Sequence, residues 1–231
     1  QFDTSMYVHD YRLVTNFRNK FILNKATSLG GAFYIKHTTI VKNIMCYFFK
    51  NTVDGVGGAM DINNIQTIVI IHYLIQENQA LLEGGGIHCF SAHKIININT
   101  TYKDNKCRDG AGISISQSKY LFNVFTSFIR NIVQRQAGAM YAQKMHFVKN
   151  INSSFIANSA QEEGSCFTIF NTNVIHTINF YIINNKCHNF RSVIIIDGFH
   201  GVIMSKCHIK GNKGGGIDVD SGQKVLIQDN F

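Results

Sequence analysis

An asparagine returns every 27 residues along most of this chain: Asn24, Asn51, Asn78, Asn105, Asn131, Asn158, Asn185 and Asn212, with one step of 26 and a shortened step of 18 to Asn230. A period held this tightly means that each repeat is one equivalent coil and that like residues meet when the coils stack. Three residues before each Asn stands a large apolar residue: Phe21, Phe48, Ile75, Tyr102, Phe128, Phe155, Ile182, Ile209 and Ile227. After the first seven asparagines comes an alternating apolar pair: Phe33/Ile35, Met60/Ile62, Ile87/Cys89, Ile113/Ile115, Met140/Ala142, Phe167/Ile169 and Ile194/Ile196. Period-two alternation marks a strand with one buried face. Small residues precede these pairs, as in Gly30-Gly31-Ala32 and Gly57-Gly58-Ala59; glycine there permits the positive φ of a tight corner.

A second strand precedes each F-x-x-N, and alternation points Ile44/Cys46/Phe48, Ile71/Tyr73/Ile75, Ile98/Thr100/Tyr102, Val124/Thr126/Phe128, Ile151/Ser153/Phe155 and Ile178/Phe180/Ile182 inward. Two residues past each Asn lies a short inward residue: Ala26, Val53, Ala80, Cys107, Val133, Ala160, Cys187 and Gly214. Two or three short strands per coil, with no room for a helix, predict an all-β, right-handed parallel β-helix of about eight to nine coils. Coils about 4.8 Å apart make a rod about 40 Å long. Each ladder Asn is expected to take the left-handed backbone of a corner and to bond its neighbours along the axis. Both ladders read as scaffold.

The repeat runs unbroken, so 1–231 reads as one continuous domain. The absence of proline fits hydrogen-bonded strands, and no run of 18 apolar residues predicts a membrane span within this window. The repeat is already in phase at Met6/Val8 and stops in mid-coil after Asn230, which reads as a window of a longer repeat protein without its end caps. The six cysteines read as small core hydrophobes, with Cys166 and Cys187 as the pair a disulfide would use. Net charge is +8. Lys25, Lys106, Lys186 and Lys213 share one slot after the Asn, a basic stripe suited to anionic glycans or an acidic surface. Nucleic acid is not an expected partner, because no outward aromatic–basic interleaving is visible. No cofactor is expected.

Residues able to do chemistry are few. Asp218 and Asp220 flank Val219, and Asp197 falls at the position of Asp220 one coil earlier. This three-carboxylate patch is a weak candidate metal site. It also carries the alternative reading, a polysaccharide-processing lyase or hydrolase or a glycan-binding β-helix. Asp61 and His88 occupy equivalent outward slots on adjacent coils and are expected to pair. The other histidines follow no ligand spacing. Asn99-Thr100-Thr101 and Asn152-Ser153-Ser154 are N-glycosylation sequons two coils apart on one face.

The coupling of F-x-x-N to G-G-A and an apolar residue is seen in Phe21-x-x-Asn24 with Gly30-Gly31-Ala32-Phe33 and in Phe48-x-x-Asn51 with Gly57-Gly58-Ala59-Met60. Phe155-x-x-Asn158 with Gly164-Ser165-Cys166-Phe167 is a degenerate copy. This pattern resembles the repeats of chlamydial polymorphic membrane proteins and of large protist surface proteins. Ile75, Ile182 and Ile209 depart from the aromatic, and Arg191-Ser192-Val193 replaces the glycine corner. The resemblance implies an exported, surface-displayed adhesin rod with no catalytic residues to carry over. The expected function is a non-enzymatic extracellular structural or adhesive rod. Its expected partners are other copies of itself, adjoining coils and cell-surface glycans, and its extension is end-to-end assembly into a filament or surface layer.

Overall fold

A computed structural model describes residues 4–189 and 191–229. The chain is a parallel β-helix of about 8 turns, each of about 27 residues, with no α-helix among the described residues. One coil illustrates all of them. It has four legs, Phe33–Lys36, Ile40–Ile44, Tyr47–Phe49 and Thr52–Val53. Each leg pairs in parallel with its equivalent one coil on, so that Phe33 meets Met60, Ile40 meets Thr67, Phe48 meets Ile75 and Val53 meets Ala80. In other coils the first two legs run together, as in Met60–Ile71 and Ile87–Ile98. The shortened last step behaves as the sequence requires, with Ile217 and Val219 opposite Ile194 and Ile196.

Legs are joined at corners of one left-handed residue. The first corner holds Asp10, His37, Asn64 and Ser91; the second Arg18, Met45, His72, Asn99, Phe125 and Asn152; the third Leu23, Lys50, Glu77, Asp104 and Arg130; the fourth Gly30, Gly57, Gly84 and Gly110. A non-glycine residue in this region costs about 1–2 kcal/mol. The conformation persists because the backbone keeps its axial bonds through the corner: Met45 N–H donates to the Ile71 carbonyl at 2.9 Å and His37 N–H to that of Asn63 at 3.0 Å. At the fourth corner two glycines have different reasons. Gly57 has φ 72, whereas a Cβ on Gly58 would lie 2.1 Å from the Gly85 carbonyl oxygen of the next coil.

These corners correct two expectations. The ladder asparagines are not themselves left-handed; the residue before each is. And each second corner inserts one residue into the alternation. The inward residues before it are Val41 and Asn43, then Cys46 and Phe48 after it, while Ile44, Ile71, Ile98, Val124, Ile151 and Ile178 stand half-buried on the outer surface.

The ladder itself forms as expected. Asn51 Oδ1 accepts from Asn24 N–H at 3.0 Å and from Asn24 Nδ2 at 2.7 Å, while Asn51 Nδ2 donates to the Phe21 carbonyl at 2.9 Å. The same wiring repeats through Asn212; Asn230 lies outside the described residues. Beside it the aromatics stack, with centroids 4.6 Å apart for Phe21–Phe48, 4.8 Å for Tyr102–Phe128 and 4.7 Å for Phe128–Phe155, each pair adding about 0.5–1.5 kcal/mol. Ala26, Val53, Ala80, Cys107, Val133 and Ala160 form a second, narrow core. All six cysteines are buried free thiols, Cys166 and Cys187 included. A second row of buried amides, Asn16, Asn43, Asn97, Asn123 and Asn150, lies inside the main core. Its own spacing of 26 or 27 residues, or twice that across Ile70, is legible in the sequence.

Candidate binding face

The second and third legs, with the corner between them, make a continuous two-strand face along the rod. Segments 11–22, 38–49, 65–76, 92–103, 118–129, 145–156, 172–183 and 199–210 build it, and none contains any of the 14 Asp and Glu residues. Among the described residues only Asp229, beyond the last paired position of the final strand, reaches it. Arg12, Arg18, Lys20, Lys42, Lys94, Lys103, Lys119, Lys149, Lys206 and Lys210 lie in these segments. No ion pair involves any of them among the described residues.

Between the cations run apolar rows. Phe17, Ile44, Ile71, Ile98, Val124, Ile151 and Ile178 are register partners in sequence. At about 4.8 Å per step the row is about 29 Å long. Val69, Ile96 and Phe122 continue a parallel row. The intervening corner projects Met45, 46% exposed, and Phe125, 54% exposed. Aromatic and basic groups alternate: Lys94 Nζ lies 5.4 Å from the Phe122 ring centre, Arg18 lies 4.9 Å from that of Phe17, and Tyr120 sits edge-on between His93 and His146. The interleaving that the linear sequence conceals is therefore present. Partial burial and then the Lys149 charge lower the pKa of His176 on the same face, favouring its neutral form. A shallow, open depression lies along the corner past Met45, Tyr47 and His72.

The acids lie on the other legs and corners, and most have local partners. Asp109, 1% exposed, receives Arg135 in a two-pronged contact at 2.8 and 2.7 Å and Arg108 at 3.1 Å. Arg130 grips Asp104 twice at 2.8 Å, and Arg191 reaches Glu163 at 3.1 Å. Carboxylates are thus segregated: they lie on the other legs and corners, while the two-strand face is positive and its cations make no ion pair among the described residues.

Asp61 and His88 pair as expected, with His88 Nδ1 2.6 Å from Asp61 Oδ1, but their slot is covered rather than open to solvent. Asp61 is wholly buried, and Asn63 Nδ2 donates to its other oxygen at 3.1 Å. Ser114 follows in register, so one row carries Asp, His and Ser on successive coils. It is not a nucleophilic triad: Ser114 is fully buried and its hydroxyl donates to Glu83 at 3.0 Å. Burial and then Asp61 push Tyr34, in the same row, up to about 12. Burial also raises the thiols of Cys89, Cys107, Cys166, Cys187 and Cys207, which disfavours the nucleophilic thiolate.

Asp197 and Asp220 do stack in register, but Asp218 faces Ile195, and the three do not bring ligand atoms together. The lysine slot is broken: Thr52 and Gln79 separate Lys25 from Lys106, and only Lys186 and Lys213 adjoin. Asn99 and Asn152 both occupy the second corner, on the acid-free face; the middle residues of the sequons, Thr100 and Ser153, are fully buried and bond the Ile98 and Ile151 carbonyls, while the sequon hydroxyl residues Thr101 and Ser154 are half-buried. Among the described residues one group of His, Cys, Asp or Glu places its ligand atoms within 4.8 Å of one another, and it is His9, Asp10 and His37. Its offset of 28 hides it from a search at 27, because His9 precedes the corner that Asp10 and His37 share. Among the described residues no helix is long and apolar enough to cross a membrane. Comparison with known protein families, curated proteins and solved structures finds no match.

Proposed function

We propose that this chain is a non-enzymatic adhesive rod that lies along an anionic, amphiphilic surface through its two-strand face. The observation that carries the reading is the exclusion of carboxylates from the eight segments that build that face, with Asp229 alone at its end. An acid-free surface repels a second copy of itself face to face, which argues for a partner of opposite charge. Ile and Val rows flanked by Lys and Arg match a bilayer interface bearing acidic headgroups, which offers apolar and anionic contacts together. Display outside the cell belongs to the proposal through the likeness of its repeats to those of surface adhesins.

The experiment is co-sedimentation with phosphatidylcholine vesicles with and without phosphatidylserine, over a salt series. Binding should require the acidic lipid, weaken with salt, and fall about tenfold or more in a Met45→Asp/Phe125→Asp variant, since each change places an acid on the face. Equal affinity for both vesicles, or none, defeats the proposal; retention by heparin alone transfers the face to acidic glycans. Glycans on Asn99 or Asn152 would stand on this surface and block it.

The polysaccharide-processing alternative has less support, because Asp218 registers with an isoleucine rather than a carboxylate. An Asp197→Asn/Asp218→Asn/Asp220→Asn variant assayed on polyuronides tests it; activity in the parent chain that the variant lacks would revive it.

A further inference from the structure

We propose that His9, Asp10 and His37 form a site for one divalent transition-metal ion of the zinc, nickel or copper kind. The backbone fixes the arrangement. Asp10 and His37 occupy the same corner of successive coils, both left-handed at φ 60 and 49. Asp10 N–H donates to the Lys36 carbonyl at 3.3 Å and His37 N–H to that of Asn63 at 3.0 Å. His9 ends the strand Met6–His9, in register with Lys36, and Tyr7 stacks against its ring at 6.0 Å.

The side chains already converge. His37 Nδ1 lies 3.3 Å from His9 Nε2 and 3.6 Å from Asp10 Oδ1, and His9 Nδ1 lies 2.8 Å from Asp10 Oδ2. In a tetrahedral site with bonds of about 2.0–2.1 Å, neighbouring ligand atoms stand about 3.3 Å apart. One ion takes a single nitrogen from each histidine, and such a set of three ligand atoms lies within 4.8 Å of one another, so side-chain rotations close it around an ion. Two imidazoles and one carboxylate leave a position for water. They favour borderline metals over calcium or magnesium, which prefer oxygen ligands. All three residues are at least partly exposed, so an ion has direct access.

The test is calorimetric titration of the metal-free chain with Zn²⁺, together with the visible spectrum after Co²⁺ addition. One ion per chain is expected, with an intense low-symmetry cobalt band. Asp10→Asn and His37→Asn should each weaken binding by about tenfold or more. Asn tolerates the left-handed corner, so these variants keep the fold, which circular dichroism verifies. Changing Asp197, Asp218 and Asp220 together should leave zinc binding intact. No zinc uptake by the parent chain, or equal affinity in His37→Asn, overturns the proposal. Vesicle binding does not enter this readout, so the two proposals fail separately.

Discussion

Two rows of buried asparagine amides run along this rod, and they are wired differently. In the row from Asn24 to Asn212 each interior side chain serves the backbone as well as its neighbours. Asn105 Oδ1 accepts from the Asn78 backbone N–H at 3.0 Å and from Asn78 Nδ2 at 3.1 Å; Asn105 Nδ2 donates to the Ile75 carbonyl at 2.8 Å and to Asn131 Oδ1 at 3.0 Å. In the inner row the axial bonds join side chain to side chain, Asn97 to Asn123 and Asn123 to Asn150, each at 2.8 Å. Backbone groups cannot be mutated away, whereas a partner amide can. The first row is therefore indispensable position by position, and the second is dispensable as a set.

The most damaging change is Asn105→Leu. It takes away the Oδ1 acceptor of the Asn78 backbone N–H and the Nδ2 donor to the Ile75 carbonyl, while Asn78 Nδ2 keeps the Phe48 carbonyl and Asn131 Oδ1 keeps the residue-105 N–H, and it should lower the unfolding free energy by about 3 kcal/mol in urea titrations. Adding Asn78→Leu and Asn131→Leu should deepen the loss, because the Phe48 and Tyr102 carbonyls that these side chains bond are orphaned in turn. A triple variant more stable than the single one would erase the distinction.

The inner row should respond in the opposite way. Asn123→Leu strands Asn97 Nδ2 and Asn150 Oδ1 and should cost about 2 kcal/mol. Replacing Asn97, Asn123 and Asn150 together with Leu removes donors and acceptors alike. It should return stability to within about 1 kcal/mol of the parent, the remainder reflecting the Tyr102 hydroxyl that now reaches Asn97 at 3.3 Å. Additive losses across the three sites would show instead that the inner amides serve groups other than one another.

How far the sequence reveals this molecule depends on what repeats at the coil period. Like residues at 27-residue spacing place Phe48 on Ile75 and Val53 on Ala80 without ambiguity, so the coil, its stacking and the Asn24–Asn212 row are legible. The corners are not, since Met45, His72, Asn99 and Phe125 share a left-handed backbone but no chemistry. That hidden residue reverses the alternation and sends Ile44 and Ile71 outward, so the apolar face looks like core until the corner is known. The acid-free face is compositional and could have been found by aligning the coils and reading charge down each column. His9 with His37 escapes even that, because the pair joins different columns.

The smallest expected effect concerns where the inner row stops. Asn150 Nδ2 has no partner, and the next register position is Thr177 rather than another Asn. Thr177 is fully buried and its hydroxyl makes only a long contact with Cys207 Sγ at 3.9 Å. Thr177→Asn would offer Oδ1 to Asn150, continuing the pattern by which Asn123 accepts from Asn97. Asn fits this position in other coils, so the added volume is one the lattice already accommodates. The variant should gain about 1 kcal/mol over the parent. Thr177→Val is the informative control, since it removes the hydroxyl without supplying an acceptor. Equal stability of Thr177→Asn and Thr177→Val would mean that the unpaired Asn150 amide carries no penalty, and the inner row would then contribute through shape rather than through its hydrogen bonds.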